Sequence, residues 1–122
     1  MVEIEDGVGV LPTWPIRGGD TWRGEDWAVT DPATGDPIDL VAAGWSNWRA
    51  QWRPTAGTSQ VIDLEIDDSQ AASGILTRKP VSAADTMSMG GPGGYDVKAD
   101  DADGQSITWL TGSTTWIQDY TR

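Results

Sequence analysis

Apolar and polar residues alternate along this chain in short runs, and turn chemistry separates the runs at close intervals. The clearest run is Gln60 to Asp67, where Ile62, Leu64 and Ile66 fall on one face and Asp63, Glu65 and Asp67 on the other. A period of two with one polar face is the pattern of a half-buried antiparallel strand. Tyr95, Val97 and Ala99 repeat it, and Asp101-Ala102-Asp103-Gly104 follows as a hairpin turn whose glycine can take positive φ. The return strand turns either Ile107 and Trp109 or Thr108 and Leu110 to the core, and a last strand is expected from about Ser113 to Asp119 with Thr114 and Trp116 on one side. Upstream, Asp20 to Thr30 reads as a strand with Trp22 near its start, Trp27 and Val29 on one face and Gly24 at a bulge. Asp31 to Pro37 then makes a hairpin-like turn, because Pro presets φ, Gly takes positive φ and Asp bonds its own backbone. Gly74 to Lys79 gives another strand, stopped by Pro80, with either Ile75 and Thr77 or Leu76 and Arg78 inward.

The run Gly44 to Pro54 fits two periods. As a helix it stacks Trp45, Trp48 and Trp52 at i, i+3 and i+7; as a strand it puts Trp48, Ala50 and Trp52 on one face and Asn47, Arg49, Gln51 and Arg53 on the other. Asp39 could cap the helix, but Gly44 costs about 1 kcal/mol in a helix interior and Ser, Asn and Trp are indifferent helix formers. Aromatics suit a pleated surface, and the neighbouring runs are strands, so a central strand is expected with Trp45 at its edge.

Only one helical turn is expected, after the capping pattern Ser82-Ala83-Ala84-Asp85 and through Met89. Gly90-Gly91-Pro92-Gly93-Gly94 ends it and reads as a flexible connector. Residues 1–18 fit neither period: Val8, Val10, Leu11, Trp14 and Ile16 are broken up by Gly7, Gly9, Pro12 and Pro15. The segment reads as an extended arm, and its apolar side chains, costly to leave in water, suit docking on a neighbouring subunit. The organisation expected is therefore an arm at 1–18 and an all-β antiparallel sandwich at 19–122.

At 122 residues the chain is long enough for one core. Eight Lys and Arg against 19 Asp and Glu give a net charge of −11, which repels nucleic acid and anionic membranes. No apolar stretch of about 18 residues occurs, and Met1 to Asp6 lacks the basic-then-apolar order of a signal peptide, so manufacture in a cytoplasm is expected. Without cysteine or histidine, disulfides and thiolate metal sites are excluded, and any catalytic base would be a carboxylate or lysine. The paired acids, Asp67 with Asp68 and Asp100 with Asp101 and Asp103, lie in expected turns and read as solvated. Asp101 to Gly104 opens like a calcium loop but lacks the closing glutamate, and the glycine tract lacks the Lys-Ser/Thr of a phosphate loop. No catalytic, cofactor or metal residue is therefore assigned. Eight tryptophans exceed what so small a core encloses easily, which makes Trp14, Trp22 and Trp45 candidates for subunit contacts beside Val8, Val10, Leu11 and Ile16.

The order of motifs carries a resemblance. Arg17-Gly18-Gly19-Asp20-Thr21-Trp22, Gly35-Asp36-Pro37-Ile38-Asp39-Leu40 and Trp48-Arg49-Ala50-Gln51-Trp52-Arg53-Pro54 are followed by Ser82-Ala83-Ala84-Asp85-Thr86, Tyr95-Asp96-Val97, Asp101-Ala102-Asp103-Gly104 and Gln118-Asp119-Tyr120-Thr121-Arg122. Over residues 17–122 this resembles the small immunoglobulin-like proteins of tailed phages and prophages, themselves similar to the N-terminal domain of phage baseplate upper proteins. The chain departs from that pattern at Ala50 and Thr114, where larger apolar residues are expected, and in its glycine tract and arm. The resemblance implies an immunoglobulin-like sandwich and a non-enzymatic virion protein present in multiple copies, a homo-oligomer or array, contacting tail or baseplate proteins. The alternative is a decoration protein on the major capsid protein, and a third reading is a carbohydrate-binding module with two or three tryptophans coplanar on an exposed face.

Overall fold

A computed structural model describes the backbone of residues 2–5, 9–55 and 61–117, with side chains for 11–55 and 61–117. In chain order the strands are β1 (Val2–Glu5), β2 (Gly9–Val10), β3 (Trp14–Arg17), β4 (Glu25–Thr30), β5 (Ser46–Pro54), β6 (Ile62–Leu64), β7 (Ile66–Asp67), β8 (Ile75–Arg78), β9 (Gly93–Asp100) and β10 (Ser106–Ile117). A short helix, α1 (Ala83–Met89), joins β8 to β9, with the Ser82 hydroxyl accepting from the Asp85 amide as the capping pattern predicts. The fold is all-β.

Two sheets share one core. The first runs β1-β4-β8-β7; the second runs β2-β10-β9-β5-β6, with β3 also on β10. The N-terminal strands pair in parallel, β1 with β4 and β2 and β3 with β10, while the remaining pairs are antiparallel. The first sheet sends in Trp27, Val29 and Leu76, and the second sends in Trp48, Ala50, Trp52, Ile62, Leu64, Tyr95, Val97 and Ala99. The tryptophan run is thus a strand with Trp48, Ala50 and Trp52 buried. Gly44, at φ 91°, ends the preceding loop, and Asn47, at φ 56°, sits in an irregularity between Ser46 and Arg49. Trp45 precedes the strand and lies edge-on to Trp109, ring centroids 4.8 Å apart.

Several boundaries differ from expectation. The run Gln60 to Asp67 is two strands rather than one: β6 pairs with β5 in the second sheet, and after Glu65 the chain crosses to pair β7 with β8 in the first. A two-residue period cannot reveal such a crossing, since the side chains keep alternating through it. Asp20 to Thr30 is regular strand only from Glu25; Trp22 makes an isolated bridge to Val81, and Gly24 lies before the strand with its backbone against the Arg78 carbonyl. Conversely, the two strands expected after Gly104 are one, β10. A register shift between Thr108 and Leu110 inserts Trp109 as an extra residue, so that Trp109 and Leu110, neighbours in sequence, both point inward. For the β8 alternatives, Leu76 and Arg78 are the inward pair.

The glycine tract does not serve as a flexible connector throughout, because Gly93 and Gly94 open β9. A Cβ on Gly93 would collide with the Trp52 ring and the Arg53 carbonyl, so the second tryptophan of β5 is accommodated by a missing side chain on its partner strand. Nor is residues 9–17 a segment standing apart from the sandwich. It runs along β10, and Leu11 and Ile16 are buried in the core. The periodicity of this stretch fails because Pro12 and Pro15 interrupt it, while β10 supplies the pairing.

Two measurements check these placements. Gly93→Ala is expected to lower stability by about 1–3 kcal/mol through overpacking, whereas Gly91→Ala, with nothing within 4 Å of its Cβ, leaves it within about 0.5 kcal/mol. Ile16→Ala is expected to cost about 2–5 kcal/mol by denaturant unfolding; an unchanged midpoint would show that the residue lies on a separate arm.

Candidate functional site

The outer face of the second sheet carries the most distinctive chemistry. Alternation in β5 turns Arg49, Gln51 and Arg53 outward, opposite the buried Trp48, Ala50 and Trp52. Outward Asp96 and Lys98 on β9 and Asp63 on β6 lie beside them. Where the chain crosses between sheets, Glu65, Ile66 and Lys79 close one side, leaving a groove of about 540 Å³. That volume is within the range of ligand sites. Four of the chain's eight basic residues, Arg49, Arg53, Lys79 and Lys98, line this groove in a protein of net charge −11.

Neighbouring side chains hold part of this set in place. Arg49 donates from Nη2 to the Ser106 hydroxyl at 2.7 Å and from Nη1 to the Asn47 carbonyl at 2.8 Å, and pairs with Asp100 at 3.2 Å. The Asn47 amide, with Arg49 beside it, holds the Asp100 carboxyl below the usual carboxylate range. Gln51 donates to Asp63 at 2.9 Å and accepts from Arg53 at 2.9 Å; Lys79 pairs with Glu65 at 3.5 Å. Among the described residues Lys98 has no ion-pair partner, although Arg49 is its direct cross-strand neighbour. Asp100, paired with Arg49, and Asp96 lie on the same face of β9 on either side of Lys98, so acidic and basic groups alternate across this surface. The arrangement can bind carboxylate or phosphate oxygens.

A second polar cluster lies inside. Arg78 is 0 % exposed and stacks over Trp22, 3.9 Å from guanidinium carbon to ring centroid. Its Nη2 donates to the Arg23 carbonyl at 2.8 Å and its Nη1 to the Lys79 carbonyl at 3.3 Å. Glu25 accepts from two indoles, Trp27 at 2.6 Å and Trp14 at 3.1 Å. Tyr95 packs edge-on to Trp22, and burial pushes its phenol up to about 12, with Glu25 acting in the same direction and Arg78 opposing it. Burial likewise lowers the Arg78 pKa. These groups brace the core beneath the N-terminal strands.

The candidate contact residues divide accordingly. Leu11, Ile16 and Trp22 are enclosed in this chain's own core, while Trp14 and Trp45 are half-buried against it. Val8 and the side chain of Val10 lie outside the described residues. Five of the eight tryptophans are buried, and Trp14, Trp45 and Trp116 are partly covered. The core encloses more tryptophan than its size suggests. The paired acids are turn formers, with Asp67 accepting from the Ser69 amide and Asp101 from the amides of Asp103 and Gln105. Among the described residues no three acidic groups are gathered to hold a metal ion. The groove cations were legible as an outward row in β5, but Lys79 and Lys98 join them only through the crossing at Glu65 and the pairing of β9. The signal available was the scarcity of basic residues and the even spacing of Arg49 and Arg53.

Compared with known proteins, the chain matches no family model and no curated sequence. The class defined by fold and site is an all-β domain of two sheets with a groove on one outer face lined by basic and acidic side chains of both sheets.

Tyr95 offers a check on the inner cluster. Its phenol is expected to ionise near pH 12 in the folded state against about 10 when unfolded, so the neutral form is favoured by folding. The resulting stability is fully present below pH 10 and is lost as pH rises through 12, a decline on the order of 2 kcal/mol. Denaturant midpoints across that window should fall more steeply for the native chain than for Tyr95→Phe.

Proposed function

We propose that this chain is a non-enzymatic structural protein of a tailed-phage particle, an immunoglobulin-like β-sandwich attached to the tail or baseplate through its sandwich surface and N-terminal segment. The observation that carries this reading is strand order. In the immunoglobulin fold one sheet runs A-B-E-D and the other G-F-C, extended by C′ in the variable type. Here β1-β4-β8-β7 and β10-β9-β5-β6 follow that order with the strands taken in chain sequence, except that β1 runs parallel to β4 where that fold has an antiparallel A–B pair. The N-terminal strands are divided between the two sheets, and α1 spans the connection between the strands that stand as E and F.

Fold alone does not fix function. The step to a virion protein rests on the resemblance in motif order over residues 17–122, and the surface agrees with it: the polar groups described form turns, ladders and a binding groove. A charged outer face on a register-locked scaffold suits repeated protein contacts. The capsid-exterior alternative uses the same surfaces and differs only in the partner.

Gold-labelled antibody against the chain, viewed by electron microscopy on purified particles with mass spectrometry of the same preparation, tests the proposal. Label at the tail or baseplate is expected. Label confined to the head would replace the tail reading with the decoration alternative, and absence of the chain from purified particles would overturn the virion role.

A further inference from the structure

We infer that the groove on the outer face of the second sheet is a binding site for a zwitterion, a small molecule or headgroup carrying an ammonium and a phosphate or carboxylate a few bonds apart. The inference goes beyond the particle reading and stands on strand register. Outward residues of β5, β6 and β9 fall into rows across the face. Arg49 lies opposite Lys98 in one row. In the next, Gln51 has Asp96 on one side and Asp63 on the other. Asp100 stands beyond the first row, and Arg53, opposite Gly94, stands beyond the second. Charge therefore alternates along the strand axis: negative at Asp100, positive at Arg49 and Lys98, negative at Asp63 and Asp96, positive again at Arg53. Successive rows on one face are two residues apart, about 7 Å.

Such striping works against a simple ion. A lone anion over Arg49 and Lys98 has Asp63 and Asp96 beside it, and a lone cation over those carboxylates has arginine and lysine beside it, so attraction and repulsion largely cancel. A zwitterion laid along the strand axis sets its anion over the cationic row and its ammonium over the acidic row, and both ends attract. Both rows keep bonding capacity for it. Lys98 is flanked by Asp96 and Asp100 on β9 yet pairs with neither, since Asp100 is engaged by Arg49 and Asn47. Among the described residues the Asp96 carboxylate accepts no hydrogen bond, and Asp63 accepts only from Gln51. Arg49, held by Asp100 and Ser106, forms an oriented wall of the cationic row, while Lys98 supplies its free charge. The groove, at about 540 Å³, has room for a small molecule. Buried Trp48 and Trp52 fix the register of β5, so the opposed rows stand ready before a ligand arrives.

Titration of the isotope-labelled chain with O-phosphoethanolamine at about 0.05 M salt, followed by NMR shifts of the backbone amides, tests the site. Saturable shifts are expected at Gln51, Asp63 and Asp96 to Lys98, with a dissociation constant at or below about 5 mM. Inorganic phosphate and ethanolamine, titrated separately, should each bind at least about tenfold more weakly. Asp96→Asn and Lys98→Gln should each weaken phosphoethanolamine binding about tenfold, while Asp36→Asn, in the loop before β5, leaves it unchanged. Thermal unfolding of each variant confirms that the fold is kept. Co-sedimentation with vesicles rich in phosphatidylethanolamine separates the ligand's sources: binding assigns a lipid headgroup, and its absence a soluble or polymer-borne zwitterion. No saturable shift with phosphoethanolamine, phosphate or ethanolamine alone binding as tightly as the whole, or binding indifferent to both groove variants would each overturn the inference.

Discussion

An indole cannot be buried as a hydrocarbon is, because its ring nitrogen carries a donor that loses water on burial, and this constraint shapes the interior. Trp52 solves it through Thr114, whose hydroxyl accepts from the indole at 3.0 Å and is tied to the Gly93 backbone. Trp27 and Trp14 solve it through the Glu25 carboxylate. Trp22 lies under a guanidinium, and the indole nitrogens of Trp22, Trp48 and Trp109 have no protein acceptor among the described residues. Burying a donor without a partner costs about 1–3 kcal/mol, so these rings are held by area and by aromatic edge contacts. Polar residues inside the sandwich are thus consequences of its tryptophan content. The same constraint accounts for two small residues at buried positions: Thr114 is an acceptor where a larger apolar residue would leave Trp52 unpaired, and Ala50 is the small residue between two indoles on one face of β5.

The parts of the fold legible in the sequence are those where one strand's own pattern decides its state. Trp48, Ala50 and Trp52 alternate against charged neighbours, Tyr95, Val97 and Ala99 do the same, and the Asp101 to Gly104 turn is local chemistry. What stayed hidden depends on pairing between distant segments. Leu11 and Ile16 owe their burial to β10, about a hundred residues away, and the break at Glu65 is a choice between two sheets that no local period records. Arg78 is the sharpest case. Its alternation with Leu76 offered an inward position, yet a fully buried arginine needs Trp22, Arg23 and Glu25 around it, and these assemble only when β4 and β8 pair.

The candidate site was half legible for the same reason. The outward row on β5 follows from its period, so Arg49 and Arg53 could be placed on a solvent face. Their gathering with Lys79 and Lys98 could not, because it requires the β5–β9 register and the crossing between sheets. Composition pointed the other way: a chain of net charge −11 reads as uniformly acidic. In the fold, Asp31, Asp67 and Asp101 close Asx-type bonds to the backbone in turns. Asp63 and Asp96 instead lie on the sheet among Arg49, Arg53 and Lys98, so the outer face mixes both signs rather than sharing the uniform charge that composition suggests.

One strand carries both features, and this links packing to recognition. Trp48 and Trp52 fix the register of β5 from below, since a slip of one residue would send both indoles into water and the arginines into the core. The spacing of Arg49 and Arg53 above is therefore as rigid as the tryptophan packing beneath. A groove lined by side chains on paired strands loses less conformational freedom on binding than the same groups on a loop, and Ser106, Asn47 and Asp63 restrict the rotamers further. Substitutions that loosen the core beneath β5 should then weaken contacts made on its outer face even where no outward residue is changed.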